Sequence, residues 1–291
     1  MTPILISGKT AVYGVIGDPV AHSLSPRIHK LFAQKNQDDL IYAAFHVQPS
    51  HLGPAVHGAH SLGLPGLNVT IPHKQTCMDF CSAIDPDAEQ MGAVNTLVYT
   101  KDGYQGFNTD WIGMDRALQA RGVCIAGRSV VVLGAGGSAR AACVMAGREG
   151  AAHLTIVNRT REKAEALARL TQKIPISVMT PSEIGHIKKK DIVIQTTSVG
   201  FGSQAGLSPV GSESFFEGVD AAFDIIYIPW ETEFLKMARR ASVKTAFNGF
   251  SMLVYQAAAA YEIWRGAALK ENFLSEVIET LSSEIKQDFH S

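Results

Sequence analysis

An α/β fold carrying a doubly wound parallel sheet is what the sequence predicts, on three observations. From Ala11 onward, short β-branched runs alternate with helix-like segments, the pattern that lays helices on the faces of a sheet. Residues 128–133 (Arg-Ser-Val-Val-Val-Leu) read as a fully buried strand that runs straight into a glycine-rich turn. At 291 residues the chain is long for one compact domain and comfortable for two.

The elements follow in order. The first half reads as a strand over 12–16, a helix over 26–35, a strand over 42–47, a helix over 51–61 and a strand over 66–70. In the first of these helices Ser25 is expected at the N-cap and Pro26 at the first helical position. Short helices over 76–81 and 87–91 precede a hairpin, 96–100 against 104–107, turned at Lys101-Asp102-Gly103. Residues 110–120 read as a connecting helix. Beyond 128–133 lie strands over 154–157, 176–179, 192–195, 222–226 and 244–247, mostly separated by helical segments. Residues 188–190 read as the solvated end of one such segment, and helices over 251–265 and 274–286 close the chain.

An apolar fraction of 46% and a charged fraction of 18% belong to an ordinary globular protein. The formal net charge of −1 provides no global pull toward nucleic acid or an anionic membrane, so an anionic ligand has to be held by a few placed residues. No apolar run reaches the length of a membrane span. Residues 1–17 lack a basic n-region and a small-residue cleavage site, which leads to the expectation of a cytoplasmic protein. The four cysteines, Cys77, Cys81, Cys124 and Cys143, suggest no disulfide framework. Cys77 and Cys81 have no second Cys/His pair at zinc spacing, so buried thiols and no metal are expected.

Gly134-Ala135-Gly136-Gly137-Ser138-Ala139 matches GxGxxA directly after a strand and at the opening of a helix. The first glycine makes the tight turn, and the second lets backbone approach a pyrophosphate. A small third residue lets helix and strand pack closely, while the helix N-terminus attracts phosphate. About twenty residues past such a motif an NAD enzyme places Asp or Glu on the ribose diol. This chain instead has Asn158-Arg159-Thr160, followed by Arg161 and Lys163. A carboxylate there would repel a 2′-phosphate, whereas Arg159 can grip one through paired charge-assisted hydrogen bonds. NADP is therefore the expected cofactor. The bland alternative makes Asn158 and Thr160 caps of the next helix and Arg159 a solvated neighbour.

Four short stretches of the first half carry polar residues that packing alone does not demand. Ser23-Leu24-Ser25-Pro26 places two hydroxyls beside a helix N-terminus, a suitable place for a carboxylate. Asn68-Val69-Thr70-Ile71-Pro72-His73-Lys74 follows a buried strand. Gly92-Ala93-Val94-Asn95-Thr96 and Gly106-Phe107-Asn108-Thr109-Asp110 complete the set. Taken singly, each is equally well read as caps and surface residues, and Asp110 alone is a good N-cap.

Together, and in this order before the GAGGSAR turn, these stretches closely resemble the shikimate dehydrogenase family. The likeness extends through Asn158-Arg159-Thr160, Thr197-Ser198-Val199-Gly200 and residues 249–256, Gly-Phe-Ser-Met-Leu-Val-Tyr-Gln. What it implies is an N-terminal open-sheet substrate-binding and catalytic domain (residues 1–112) and a Rossmann-type NADP-binding domain (113–248). The C-terminal helices (249–291) then return to the substrate domain. The implied activity is NADPH-dependent reversible reduction of 3-dehydroshikimate to shikimate, a step toward chorismate and the aromatic amino acids. By the same likeness Ser23 and Ser25 hold the substrate carboxylate. Thr70, Asn95, Asp110 and Gln256 contact ring hydroxyls, with Asn68 nearby, and Tyr227 touches substrate. Lys74 and Asp110 form the catalytic pair. Gly134, Ala135, Gly136, Gly137, Ser138, Asn158, Arg159, Thr160 and Lys163 bind NADP, while Ile225 and Gly249 line the nicotinamide region. A monomer or homodimer with a small-molecule substrate is expected.

Two departures blur which relative this is. Asn248-Gly249 stands where the family commonly has Asp-Gly, and Ile228 stands where a polar residue is frequent. A quinate/shikimate dehydrogenase paralogue with broader substrate or NAD use is the nearest alternative. A non-catalytic ligand sensor on the same scaffold and a folate dehydrogenase are more distant ones.

Overall fold

The structure, a computed structural model, describes residues 6–171 and 173–288. It divides into two compact units. The first runs to Thr109 and takes in Gln256–Val277; the second comprises Asp110–Tyr255 and the described residues from Ile278.

In the first unit the strands are β1 (Ala11–Gly17), β2 (Leu40–His46), β3 (Gly66–Val69), β4 (Ala83–Ile84), β5 (Thr96–Thr100) and β6 (Gly103–Phe107). They form one sheet in the order β2-β1-β3-β5-β6-β4. β1 pairs in parallel with β2 and β3, while β5 runs antiparallel to both β3 and β6. The two-residue strand β4 has no counterpart in the sequence reading, because so short a segment carries no periodicity to detect. Helices α1 (Ser25–Asn36), α2 (Leu52–Ser61) and α3 (Pro86–Met91) belong to this unit. Leu52 and Val56 of α2 pack with Leu67, Val69, Leu97 and Tyr104 from the strands in one core.

The start of α1 corrects the expected cap. Leu24, not Ser25, occupies the N-cap, and Ser25 is already helical. The reason is local: the Ser23 hydroxyl accepts the Ser25 N–H at 3.2 Å, so a turn residue two positions upstream satisfies an orphan amide. The cysteine expectation also needs amending. Cys77 and Cys143 are buried, but Cys81 is half-buried and Cys124 exposed; all four are free thiols.

The second unit contains α4 (Asp110–Gln119), β7 (Ser129–Leu133), α5 (Gly137–Arg148), β8 (His153–Val157), α6 (Arg161–Ala168), β9 (Ile176–Met179), β10 (Ile192–Gln195), β11 (Ala221–Asp224), α7 (Glu233–Arg240) and β12 (Thr245–Asn248). Helices α8 (Phe250–Arg265) and α9 (Glu271–Asp288) each contribute residues to both units. The sheet order is β12-β11-β10-β7-β8-β9, parallel throughout. Counted within the unit this is the 3-2-1-4-5-6 order of doubly wound dinucleotide-binding sheets. Its strands are buried on both faces, with Val130, Val131 and Val132 all at most 1% exposed. Residues 188–190 lie in an irregular segment rather than at a helix end, and Lys189 pairs with Asp191 at 3.5 Å.

β11 stops at Asp224, two residues before the sequence suggests, because the Asp224 carboxylate takes over the local hydrogen bonding. It accepts the Ile226 N–H at 3.0 Å and the Thr232 hydroxyl at 2.5 Å. Burial raises its pKa to about 7, with the Thr232 and Ile226 hydrogen bonds opposing the shift. Between the unfolded value near 4 and this folded value, the folded chain holds a proton that the unfolded chain releases. The contribution is therefore fully present below about pH 4 and falls by up to about 1.4 kcal/mol per pH unit as pH rises toward 7. Asp224→Asn is expected to flatten the fall in stability between about pH 4 and pH 7, with urea unfolding as the measurement. Identical pH dependence in both proteins would refute this account.

Candidate active site

In the first unit, the polar residues that the sequence singles out meet in a buried hydrogen-bonded network at the ends of β3 and β5. Asn68 Nδ2 donates to the Asn95 carbonyl and to Thr96 Oγ1, both at 3.1 Å. Thr96 in turn donates to Asn95 Oδ1 at 2.9 Å, which also accepts the Thr109 N–H at 2.9 Å. Asn95 Nδ2 donates to Thr109 Oγ1 at 3.1 Å, and that hydroxyl donates to the Gln256 carbonyl at 3.0 Å. Asn68, Asn95, Thr96 and Thr109 are at most 7% exposed, so the network lies in a low-dielectric setting where unpaired polar atoms would be costly.

At its other end, Asn68 Oδ1 accepts the Tyr42 hydroxyl at 2.7 Å. Burial holds the Tyr42 phenol well above its usual pKa, and a hydrogen bond from the Ser25 side chain works against that shift. Tyr42 lies flat against His29, with centroids 4.1 Å apart and planes within 5°. Burial drives the His29 pKa down to about 3, so the ring is neutral at physiological pH. The nearby Asn68 carboxamide works in the opposite direction but falls short of hydrogen-bond geometry, and neither ring nitrogen has a partner.

Thr70 and Lys74 sit on the segment leaving β3. The Thr70 N–H bonds to Ile16 O at 2.9 Å, and a Cβ on Gly17 would collide with Thr70 Cγ2, so only glycine admits this approach. The carbonyl of Lys74 accepts the Val94 N–H at 2.7 Å, which ties the lysine's backbone to the segment carrying Asn95. Ser23, Ser25, Asn68, Thr70, Lys74, Asn95 and Gln256 all belong to this unit.

In the second unit, Asp110 opens α4 and is 7% exposed. Gly134 has φ +116°, and a Cβ there would meet Thr196 Oγ1 at 2.6 Å. By contrast, Cβ atoms on Gly136 and Gly137 would meet nothing within 4 Å. The N-cap of α5 is Gly136, with no side chain capping it. The positive end of this 12-residue helix thus has open space beside Gly136 and Gly137, which fits a pyrophosphate. At the end of β8 the Asn158 amide donates to Thr160 O at 2.9 Å, but the Thr160 side chain makes no capping bond to α6. Arg161 is committed to Glu183 at 2.8 and 2.6 Å. Arg159 and Lys163 are exposed and have no side-chain partner among the described residues, leaving two cations for an anionic ligand.

Ile225 and Gly249 are in direct contact: a Cβ on Gly249 would collide with Ile225 O. The Tyr227 ring stands 6.1 Å from Phe250, and burial raises its phenol pKa. Asn248, where the family commonly has aspartate, is held by two backbone groups. Its amide donates to Trp230 O at 2.8 Å and its oxygen accepts the Phe250 N–H at 3.2 Å. No group of three or more His, Cys, Asp or Glu among the described residues is arranged to hold a metal ion.

Sequence reasoning missed Tyr42 altogether, since a tyrosine inside an apolar strand looks like packing. Thr96 and Thr109 lay inside the motifs already singled out; the shared Asn-Thr pairing of GAVNT and GFNTD was the available signal.

The class these features define is a dinucleotide-binding α/β protein with a separate open-sheet unit lined by buried amides and hydroxyls. Comparison with known proteins narrows it. The family model for the shikimate dehydrogenase substrate binding domain matches residues 15–97, that for shikimate / quinate 5-dehydrogenase matches 116–200, and that for the shikimate 5′-dehydrogenase C-terminal domain matches 249–269. Shikimate dehydrogenase (NADP(+)) of Caldanaerobacter subterraneus subsp. tengcongensis is 41% identical over 94% of this chain and 98% of its own. The crystal structure of the Listeria monocytogenes shikimate 5-dehydrogenase in complex with shikimate and NAD has a TM-score of 0.88 at 30% identity, covering 94% of this chain and 98% of that one. The Thermus thermophilus enzyme in complex with NADP(H) and shikimate has a TM-score of 0.82 at 29% identity, covering 93% and 99%. The chain belongs to the shikimate dehydrogenase family.

The contact at Gly249 generates a prediction. Alanine there forces its methyl into the Ile225 carbonyl, which is backbone and cannot rotate away. Overpacking of this kind costs about 1–3 kcal/mol, and calorimetry of Gly249→Ala is expected to show Tm lower by several degrees. An unchanged Tm would show that Ile225 moves freely.

Proposed function

We propose that this chain catalyses the NADPH-dependent, reversible reduction of 3-dehydroshikimate to shikimate. The observation that carries the reading is the buried Asn68–Thr96–Asn95–Thr109 network beside the Lys74 segment. The ends of two interior strands do not need four interlocked amides and hydroxyls for packing, but a polyhydroxylated ring needs fixed donors and acceptors. Family membership and the relatives' names support the same assignment. The three matched segments also support a functional division into residues 1–112 for substrate and catalysis, 113–248 for NADP, and 249–291 returning to the first.

In this reading Ser23 and Ser25 hold the carboxylate. Thr70, Asn95, Asp110 and Gln256, with Asn68 and Tyr227, address the rest of the ring. Gly134, Ala135, Gly136, Gly137, Ser138, Asn158, Arg159, Thr160 and Lys163 hold NADP, and Ile225 and Gly249 border its nicotinamide. The bound cofactor supplies the hydride. Reduction turns the ketone oxygen into an alkoxide, which needs a proton as it forms. The Lys74 ammonium stabilises the developing charge and gives that proton from Nζ; in the reverse direction the neutral amine removes it. Asp110 is the partner that holds the ammonium.

Among the described residues no helix is long and apolar enough to cross a membrane, and all four cysteines are free thiols. The free thiols support a protein working in the reducing cytoplasm.

Initial rates with shikimate and quinate, each against NADP and NAD, test substrate and cofactor together. Shikimate with NADP is expected to be far the fastest combination, and Arg159→Asp to weaken NADP by at least about tenfold while improving relative use of NAD, since a hydrogen bond to a charged group is worth about 1.5–3 kcal/mol. Comparable kcat/KM for quinate with NAD, or an unchanged NADP Kd in the variant, would overturn this part.

Lys74→Ala is expected to keep NADP binding and fold while lowering kcat by about 10²–10⁴-fold. Asp110→Asn should lower it too, and the double variant should lose less than the product of the two. Near-normal kcat in Lys74→Ala, or losses that simply multiply, would refute the pair.

A further inference from the structure

A cation at the first position of a helix faces the positive end of the helix dipole, an unfavourable place for it. Arg161 takes that position in α6, in sequence midway between Arg159 and Lys163, the two exposed cations without a side-chain partner among the described residues. Its contacts account for its place there. Arg161 Nη1 donates to the Val178 carbonyl at 3.1 Å, and Nη2 donates to both oxygens of Glu183, at 2.8 and 2.6 Å. Val178 lies on β9, the edge strand beside β8, and Glu183 on the short helix Pro181–His186 that follows it. Glu183 is itself held from behind: its Oε2 accepts the Thr180 N–H at 2.6 Å and the Thr180 hydroxyl at 2.8 Å. Those two bonds, and after them the Arg161 charge, keep the Glu183 carboxyl below its usual pKa, so it is ionised at physiological pH.

The segment before the arginine is fastened as well. The Asn158 N–H donates to the Met179 carbonyl at 3.0 Å, and Asn158 Nδ2 donates to the Thr160 carbonyl at 2.9 Å. Residues 158–161 are thereby tied to β9 at both ends, by a backbone bond before Arg159 and by the Arg161 side chain after it. Thr160, the N-cap, makes no side-chain bond to α6, and Arg161 supplies the link from the helix start to the sheet. An isolated exposed ion pair holds little, but this one is a network. One guanidinium nitrogen sits between two carboxylate oxygens, another is on a strand carbonyl, and the carboxylate is fixed by a neighbouring backbone amide.

We propose that Arg161 and Glu183 are positioning residues that set the preference for NADP over NAD, by fixing the backbone from which Arg159 and Lys163 reach a 2′-phosphate. The inference rests on the reading of those two cations as 2′-phosphate ligands. Each lies two residues from Arg161, so a helix start that comes away from β9 displaces both. Two long, exposed side chains then have to be ordered around the phosphate from an unfixed base, and that ordering costs affinity. The cost falls on the 2′-phosphate contacts alone, because the glycine turn that faces the pyrophosphate follows a different strand, β7. Placement and charge make opposite predictions at Glu183. Removing its negative charge makes the surroundings more attractive to a phosphate by Coulomb's law, yet it also releases the arginine that anchors the helix start.

The test is calorimetric titration of the chain with NADP and with NAD, in Glu183→Gln, Arg161→Met and the double variant. Glutamine still accepts the Thr180 N–H but no longer offers Arg161 a charge, and methionine keeps length without the guanidinium. Both single variants are expected to raise the NADP Kd about three- to tenfold, the span of one net hydrogen bond, with the NAD Kd nearly unchanged. That the two move together although they change the local charge in opposite senses is the signature of placement. The double variant should be no weaker than the weaker single, because both remove the same contact. Tighter NADP binding in Glu183→Gln would show Arg161 to be a masked phosphate ligand and overturns the proposal. An unchanged NADP Kd overturns it too. Equal weakening of NADP and NAD, or loss of both through unfolding, shows a merely structural pair and likewise overturns it. Arg159→Asp titrated alongside separates the two levels of the argument. If it leaves the NADP Kd unchanged, the reading of the cations fails and the positioning role falls with it. If it weakens NADP while the Arg161 and Glu183 variants do not, only the positioning role fails.

Discussion

The hydrogen bond from the Thr109 amide to Asn95 Oδ1, 2.9 Å long, determines the polar face of the first unit. A backbone N–H has no alternative role, so the carboxamide it meets has one orientation only. From that orientation the hydroxyls of Thr96 and Thr109 and the amide of Asn68 acquire theirs in turn. Buried at the ends of strands, these groups hold one another in a single hydrogen-bonded arrangement.

In the second unit the groups suited to an anion depend on placement rather than on overall charge. The whole chain is nearly neutral, at −1. A helix N-terminus with no capping side chain, two glycines bordering open space, and two exposed cations without partners among the described residues are concentrated in two loops. Arg161, adjacent in sequence to these cations, is withdrawn by Glu183, which also accepts the Thr180 N–H at 2.6 Å. One arginine therefore fastens the sheet edge while its neighbour two residues earlier remains available.

Much of this was legible in the sequence because it depends on short-range chemistry. The parallel sheet of the second unit announces itself in fully apolar strands, and the glycine turn in residues whose backbone demands no other side chain could meet. Gly134 is an example, with its positive φ and its 2.6 Å approach to Thr196. What escaped depends on contacts distant along the chain. Tyr42 acquires a role only because Asn68, 26 residues away, lies on a strand separated from it by β1. Ser25 lies inside α1 rather than at its N-cap because the Ser23 oxygen accepts its N–H, a turn contact that composition does not encode. β11 ended early because a buried carboxylate competed with the sheet for backbone donors, a contest invisible to hydrophobic periodicity.

Asn248 has a wider meaning for how the family diversifies. It sits directly across from Asp224 in the parallel register of β11 and β12, where paired residues share a face of the sheet. The aspartate commonly found at this position would bring a second acid next to one whose pKa burial has already raised. A carboxamide of the same shape keeps the acceptor for Phe250, adds a permanent donor for Trp230, and carries no proton to trade. The substitution thus makes this corner electrically quiet: one titrating group remains where the common pattern would set two in competition. With this exchange the C-terminal end of the parallel sheet also gains a backbone contact at Trp230 that an ionised carboxylate could not make.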